Sequence, residues 1–231
     1  MKAPKNILKQ DVCNLSRYPC LIENNPCFLT ALQVIENERV DYKDTALYEH
    51  YSKKMKTLAD VYGFCAPTPL DKYKYNAIFL PWIHSKPVVN HADSAFLRST
   101  KYETEQQVEK IRSLLSSFKE HGYDTKRASN QRGGNIIGYW LKRATKKRFY
   151  VVSGNHRVAT WFALNPESSL PITKFKKKHM KGRDLQNNEP AKQEEFALWF
   201  AVENVHNWAS VKSGFLEKNM AIDIFDAYFG E

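Results

Sequence analysis

No apolar run in these 231 residues reaches the ~20 positions that a membrane-crossing helix needs, and no segment repeats. The first excludes a helical membrane span, the second a solenoid or propeller built from repeats. Cysteine is scarce: Cys13, Cys20 and Cys27 recur every seven residues and Cys65 stands apart. That spacing is neither a close C-x-x-C metal pair nor the framework of a small secreted domain, so reduced, partly buried thiols are expected. The opening MKAPKNILKQDVCNLSRYPC lacks the continuous apolar stretch of a secretory leader, and a soluble cytoplasmic protein is the expectation. Acidic residues are also in deficit. Thirty-five Lys and Arg against 25 Asp and Glu leave a net charge of +10, which favours a phosphate-rich partner: nucleic acid, a nucleotide, a sugar phosphate or an anionic membrane surface. Charge alone does not choose among them.

What is present suits one substantial core. The hydrophobic fraction of 42% is that of an ordinary globular chain. Residues 1–75 read as an N-terminal arm in which Leu47, Tyr51, Met55, Leu58 and Val61 predict one helix over Thr45–Tyr62. Residues 76–180 read as the core and 181–231 as a helical C-terminal cap. Ala77–Trp82 predicts a short strand, followed by a loop carrying His84, His91 and Asp93. Val108, Ile111, Leu115 and Phe118 share one face of a helix over Glu103–His121, with Thr104 placed as N-cap and Gly122 as the stop. Asn135–Leu141 and Phe149–Val152 predict two strands joined by the basic, solvated turn Lys142–Arg148. A helix carrying Val158, Ala159, Phe162 and Ala163 ends before Pro166, and a strand follows over Leu170–Phe175. Two further helices are expected near Glu194–Val205 and Glu217–Phe229.

The chemistry concentrates where Val152 runs into Ser153-Gly154-Asn155-His156-Arg157. Helix N-termini leave backbone N–H groups unpaired and carry the positive end of the helix dipole, so a glycine turn entering a helix suits an anion. Gly154 permits close backbone approach. Asn155 and His156 offer hydrogen-bond donors, and Arg157 presents a planar, charged fork for phosphate oxygens.

An amphipathic helix ending in K-E-H-G at Lys119–Gly122, strands, and then S-G-N-H-R at Ser153–Arg157 ahead of an alanine-containing helix together resemble the ParB/sulfiredoxin superfamily, over about Ala92 to Phe175. The resemblance implies an α+β fold, a small mixed sheet with packed helices, and assigns Ser153, Gly154, Asn155, His156 and Arg157 to nucleotide phosphates. His156-Arg157 is similar to the enzyme branch, which includes free-serine kinases; partitioning members carry two arginines there. The chain departs from the kinases' Asp-Gly opening at Ser153, and from the sulfiredoxin cysteine at Asn155, so sulfiredoxin activity is not expected. From the kinases the resemblance implies ATP or ADP with Mg²⁺, and a catalytic base at Glu103 or Glu105 that accepts the proton of a substrate hydroxyl. Glu103 is preferred, because an acidic residue in a first helical turn, as at Glu105, is favoured anyway.

Arg98, Lys101 and His84 are candidate substrate contacts, the first two ahead of the helix and the last in the loop after Ala77–Trp82. No metal ligand set is assigned. The run Lys174–Arg183 reads as a solvated surface or a track for an anionic polymer, and Trp208 as a core anchor beside Glu203 and His206. The closing N-W-A-S-V-K-S-G and A-I-D-I-F-D-A-Y-F look similar to proteins of bacterial surface-polysaccharide pathways. The expected activity is a nucleotide-dependent phosphotransferase acting on a hydroxyl of a small metabolite or sugar. A ParB-like DNA-binding or nuclease protein, and a nucleotide-binding regulator without catalysis, stay open as alternatives.

Overall fold

The computed structural model describes residues 6–13, 20–53, 55–64, 66–75, 77–89, 100–124, 136–174 and 199–230. Their centre is an antiparallel hairpin. The β-branched and aromatic runs β5 (Ile136–Arg143) and β6 (Lys146–Ser153) pair along their length. β1 (Asn6–Leu8), β2 (Val12–Cys13), β7 (Ser169–Lys174) and β8 (Trp199–Ala201) complete a six-stranded mixed sheet. Its order is β1-β7-β5-β6-β2, and β7 and β8 run parallel to β5 along successive stretches of one edge. A separate two-stranded pair joins β3 (Ala77–Ile78) to β4 (Val88–Val89).

Strand periodicity sorts the core into two layers. Ile136, Trp140, Phe149, Val151, Leu170 and Val12 face one cluster, whereas Tyr139, Leu141, Tyr150 and Cys13 face the other. Against the first face pack α1 (Pro26–Glu36), α2 (Ala46–Ser52), α4 (Thr100–His121) and α5 (Asn155–Leu164). The second face meets α3 (Leu58–Tyr62), the segment Phe79–Trp82, the 3-10 turn Val202–Asn207, α6 (Ala209–Lys212) and α7 (Lys218–Asp226). Trp82 centres that layer, with ring centroids 5.2 Å from Phe225, 5.5 Å from Tyr228 and 5.8 Å from Trp208. Among the described residues this is an α+β protein with seven α-helices.

Several expectations need correction. The segment read as an arm supplies β1 and β2 to the central sheet, and α1, α2 and α3 in place of one helix. The helix expected over Thr45–Tyr62 breaks because Thr57 and Asp60 form a reciprocal capping box that starts α3 afresh. The intervening chain is held extended by Tyr75 N–H to Lys56 O and by Leu58 N–H to Tyr73 O. Thr104 is not an N-cap: α4 begins at Thr100, leaving Thr104 buried within the helix. The helix expected over Glu194–Val205 is strand β8 and a 3-10 turn from Trp199 onward. Trp199 stacks on Trp140 at 5.5 Å, while Phe200 meets Tyr139 at 5.0 Å on the opposite face, a period of two. Only Ala77–Ile78 of the run to Trp82 is strand. The turn expected over Lys142–Arg148 is only Ala144-Thr145, because Lys142, Arg143, Lys146, Lys147 and Arg148 pair within the strands. By contrast, the stop at Gly122 and the final helix lie where the sequence places them.

The hairpin closes through Ala144 at φ 50°, a left-handed conformation that costs an alanine roughly 1–2 kcal/mol. Ala144→Gly is therefore expected to raise stability by roughly 0.5–1 kcal/mol, after the extra chain entropy of glycine is subtracted. A shift of the urea midpoint at unchanged slope checks this, and an unchanged midpoint would contradict it.

Candidate anion site at the start of α5

β6 does not end smoothly. Ile137 pairs with Ser153 but Gly138 pairs with Val151, so Val152 is one residue extra in β6 and bulges. Gly138 makes this irregularity possible, since a Cβ there would lie 2.2 Å from the Tyr150 carbonyl oxygen. The bulge leads directly into Gly154, at φ 101° and ψ 17°, and α5 starts at Asn155. A Cβ on Gly154 would lie 2.6 Å from Ile136 Cδ1 and 3.3 Å from an Arg157 terminal nitrogen, besides forcing a left-handed φ on an L-residue. Glycine is required there for both reasons.

No side chain caps the first turn of α5. The first intrahelical bond runs from Val158 N–H to Gly154 O at 3.0 Å. Side-chain oxygens do cap α1, α2 and α3, through Asn25, Thr45 and Thr57. At the α5 terminus Asn155 Oδ1 and His156 Nε2, beside Arg157 the Tyr123 hydroxyl, and on α4 Gln107 Oε1 are buried without a hydrogen-bond partner, an arrangement that disfavours the isolated chain and suits a polar ligand. Burial pulls the His156 imidazole down to about 4, and the charge of Lys110 acts in the same direction. It is therefore neutral at physiological pH, able to donate or accept. Burial also lowers the Arg157 guanidinium from its ordinary value, and the Tyr123 side chain partly offsets this. Even so, an arginine remains charged.

Tyr123 and the α4 flank were not identified from sequence. Gly122, at φ 66°, turns the chain back after α4. Tyr123 then packs against Phe118 at 5.7 Å and Trp161 at 5.5 Å, close enough to Arg157 for each to shift the other. On α4 the buried stripe Thr104, Val108, Ile111 and Leu115 faces the core. Glu103, Gln107 and Lys110 follow one flank of that stripe at i, i+4 and i+7. Lys110's influence on His156 orients this flank toward the start of α5. The i, i+4, i+7 series from Glu103 is legible in the sequence and was the signal available for Gln107 and Lys110.

The two carboxylates proposed as bases thus separate. Glu103 is half-buried on the α5 side, whereas Glu105 is exposed and turned about 200° around the helix from it. The flank of Glu105 continues through Glu109 and Arg112. Arg112 pairs with Glu109 and donates to the Glu38 and Val40 carbonyls, the former at 3.0 Å and the latter at 2.6 Å. A cavity of about 560 Å³ opens on that same side, between Val34, Glu38, Leu115 and Lys119. It belongs to the α1–α4 groove rather than to the turn.

Of the candidate substrate contacts, His84 lies in the second layer. Its ring Nδ1 accepts from Leu80 N–H at 3.0 Å, and burial lowers it to about 4. That is a histidine satisfied by the backbone, on the sheet face opposite α5. Lys101 lies in the first turn of α4, while Arg98, His91, Asp93 and most of Lys174–Arg183 fall outside the described residues. Trp208 is buried against Trp82 and Phe225, the anchoring role expected of it. Cys13, Cys20 and Cys27 are buried thiols, and burial raises Cys13 and Cys20. Among the described residues no group of three or more His, Cys, Asp or Glu is gathered to hold a metal ion, and no helix is long and apolar enough to cross a membrane.

Fold and site together define an α+β chain whose central hairpin feeds a bulged strand into an uncapped, cationic helix start. Compared with known proteins, the chain matches no family model, no curated protein and no solved structure.

Proposed function

We propose that the chain is a nucleotide-dependent phosphotransferase of ParB/sulfiredoxin-like fold, acting on a hydroxyl of a small metabolite or sugar. The observation that carries this reading is the start of α5. Gly154 opens an uncapped helix terminus beside Arg157, and Asn155 Oδ1 and His156 Nε2 are buried there without partners. Backbone N–H groups and a guanidinium converging on one point suit phosphate oxygens. Neutral His156 adds a donor without a second buried charge.

The geometry of α4 supports one assignment of roles. Glu103 is the general base: it accepts the hydroxyl proton while the substrate oxygen forms its bond to the transferred phosphorus and the bond to the leaving phosphate breaks. Arg157 and the first N–H groups of α5 hold the departing phosphate and offset its growing charge. Lys110 neutralises charge from the side, and Gln107 orients the substrate through Oε1. Mg²⁺ bound to ATP or ADP would supply the remaining charge compensation. Glu105, on the other flank, has no part in this chemistry.

Calorimetric titration with ATP, ADP and CTP in the presence of Mg²⁺ tests the reading. The wild type is expected to bind at least one of them, and Arg157→Ala to weaken that binding at least tenfold, the loss of one charge-assisted bidentate contact. In a screen of hydroxyl acceptors with the bound nucleotide, Glu103→Gln is expected to lower turnover by two or more orders of magnitude with nucleotide affinity unchanged. Glu105→Gln is expected to behave as wild type. Absence of nucleotide binding by the wild type would overturn the proposal, and equal loss in both glutamine variants would overturn the assignment of the base.

A further inference from the structure

At the other end of β6, seven residues and roughly 23 Å from Ser153, the hairpin tip carries an arrangement that the phosphotransferase reading does not use. Lys142-Arg143-Ala144-Thr145-Lys146-Lys147-Arg148 holds five cations and no acid. The register sets Lys142 directly opposite Lys147 and Arg143 directly opposite Lys146. Like charges facing each other across a ladder are destabilising, and the turn between them adds a left-handed alanine. The exposed Lys142–Lys147 pair is thus unfavourable, and the strained alanine stands beside it, whereas Asp226 offsets the charge of Arg143.

Strand alternation distributes these cations over both faces of the ribbon. Lys142 and Lys147 share the Trp140 face, where Lys147 Nζ lies 5.1 Å from the Trp140 ring centroid. Arg143, Lys146 and Arg148 take the opposite face. Arg143 meets Asp226 at 2.8 Å, and Arg148 reaches Gln10 O at 3.1 Å and lies over the Phe229 ring at 5.9 Å. Lys142, Lys146 and Lys147 are exposed, and no exposed large apolar side chain lies between Lys142 and Arg148.

We infer that this hairpin tip is a docking surface for the phosphate backbone of double-stranded nucleic acid. A flat anionic membrane meets one face of a ribbon and is favoured by apolar side chains that insert, which this tip lacks. A duplex groove presents phosphates on two walls, and the major groove is wide enough to admit a two-stranded ribbon, which the hairpin becomes past the last β8 pair at Lys142. Cations on both faces match the second geometry. The three exposed lysines supply the phosphate contacts. Arg143 and Arg148, tied to Asp226 and to the Gln10 carbonyl, hold the tip in place.

Fluorescence anisotropy of the full chain with a labelled 20-base-pair duplex, across a salt series, tests this against the triple variant Lys142→Gln, Lys146→Gln, Lys147→Gln. The wild type is expected to bind the duplex more tightly than a single strand of equal length or phosphatidylserine vesicles. The variant is expected to bind at least tenfold more weakly, with the salt slope reduced by about 2 to 3, near 0.9 for each phosphate no longer neutralised. Its melting temperature should stay close to that of the wild type, since relief of the Lys142–Lys147 repulsion opposes loss of the Lys147–Trp140 contact; this separates removal of the phosphate ligands from damage to the fold. Equal duplex binding by variant and wild type, or vesicles or single strands bound as tightly as duplex, would overturn the inference. Titration of the variant with nucleotide reads the α5 site separately, so the two proposals stand or fall independently.

Discussion

Gly138→Ala is expected to destabilise the fold by about 3 kcal/mol or more, the upper end for an overpacked core. A Cβ at this position would lie 2.2 Å from the Tyr150 carbonyl oxygen and 2.6 Å from two Phe149 ring carbons. The first neighbour is backbone in the central hairpin and the second is a ring buried in the first layer, so neither yields without moving the β5–β6 pair. Gly154→Ala is the informative comparison. There the closest atom is the tip of the Ile136 side chain, which can rotate away, and the left-handed φ adds roughly 1–2 kcal/mol. Urea unfolding should therefore rank Gly138→Ala as the more damaging. Nucleotide titration should show Gly154→Ala, although better folded, as the variant that loses binding, because its Cβ crowds Arg157. A milder loss of stability at Gly138 than at Gly154 would mean that the bulge relaxes more easily than its contacts imply.

The same two glycines show what could be read from sequence and what could not. Ser153–Arg157 was legible because its signal is local: an apolar strand, a glycine, then helical periodicity, all within a dozen residues. The bulge that aims this turn was not, since it depends on which residue of β5 opposes which residue of β6, and pairing across a sheet leaves no mark in either strand alone. Helix α4 was read through its buried stripe, and the expected stop at Gly122 stands. Its start was misplaced because Thr104 has the chemistry of a cap, yet here fills a buried position in the second turn. Trp199 and Phe200 fall inside the helix expected near Glu194–Val205. Their true period of two appears only once Trp140 and Tyr139 offer a stacking partner on each face of the sheet. The N-terminal segment reads as an arm because β1 and β2 are only three and two residues long. Strands that short are specified by the ladders they join rather than by their own composition. The separation of Glu103 from Glu105 was within reach of helical geometry, but became decisive only when Arg112 was seen to bind the Glu38–Val40 carbonyls on one flank and Lys110 to influence His156 on the other.

Stability is expected to fall steeply between pH 6.5 and pH 4, before most carboxylates titrate. His50, His84 and His156 are each held near 4 in the folded chain, burial being the largest cause in every case. Unfolded, each takes up a proton near its ordinary value of about 6.5. A folded pKa below the unfolded one means that the native state prefers the neutral ring. That preference costs nothing above about pH 7, and stability is lost progressively as pH falls toward 4; the unfolded chain binds about three protons more than the folded one near pH 5, and about half that excess at pH 4, where the buried rings themselves begin to protonate. Each histidine contributes on the order of 3 kcal/mol at the lower limit, an upper bound because partial opening lets water reach the rings. A combined loss of several kcal/mol is a large share of the 5–15 kcal/mol typical of a domain, roughly speaking. Glu38 and Asp60 are exposed carboxylates held below their usual values, the first by Lys119 and the second mainly by backbone N–H groups of Thr57 and Lys56. Urea unfolding at pH 8, 6.5, 5 and 4 measures the slope, and two substitutions apportion it. His84→Asn keeps an acceptor for Leu80 N–H where Nδ1 now stands, and His50→Gln keeps a polar terminus toward the Tyr75 hydroxyl, 3.2 Å from His50 Nε2. Each should remove about one proton from the pH dependence while leaving stability at pH 8 within about 1 kcal/mol. A bound phosphate ligand should do the same for His156 alone, because its negative charge favours the imidazolium and raises the folded value toward the unfolded one. If the double variant lost stability between pH 6.5 and 4 as steeply as the wild type, the buried histidines would not be the cause of acid sensitivity.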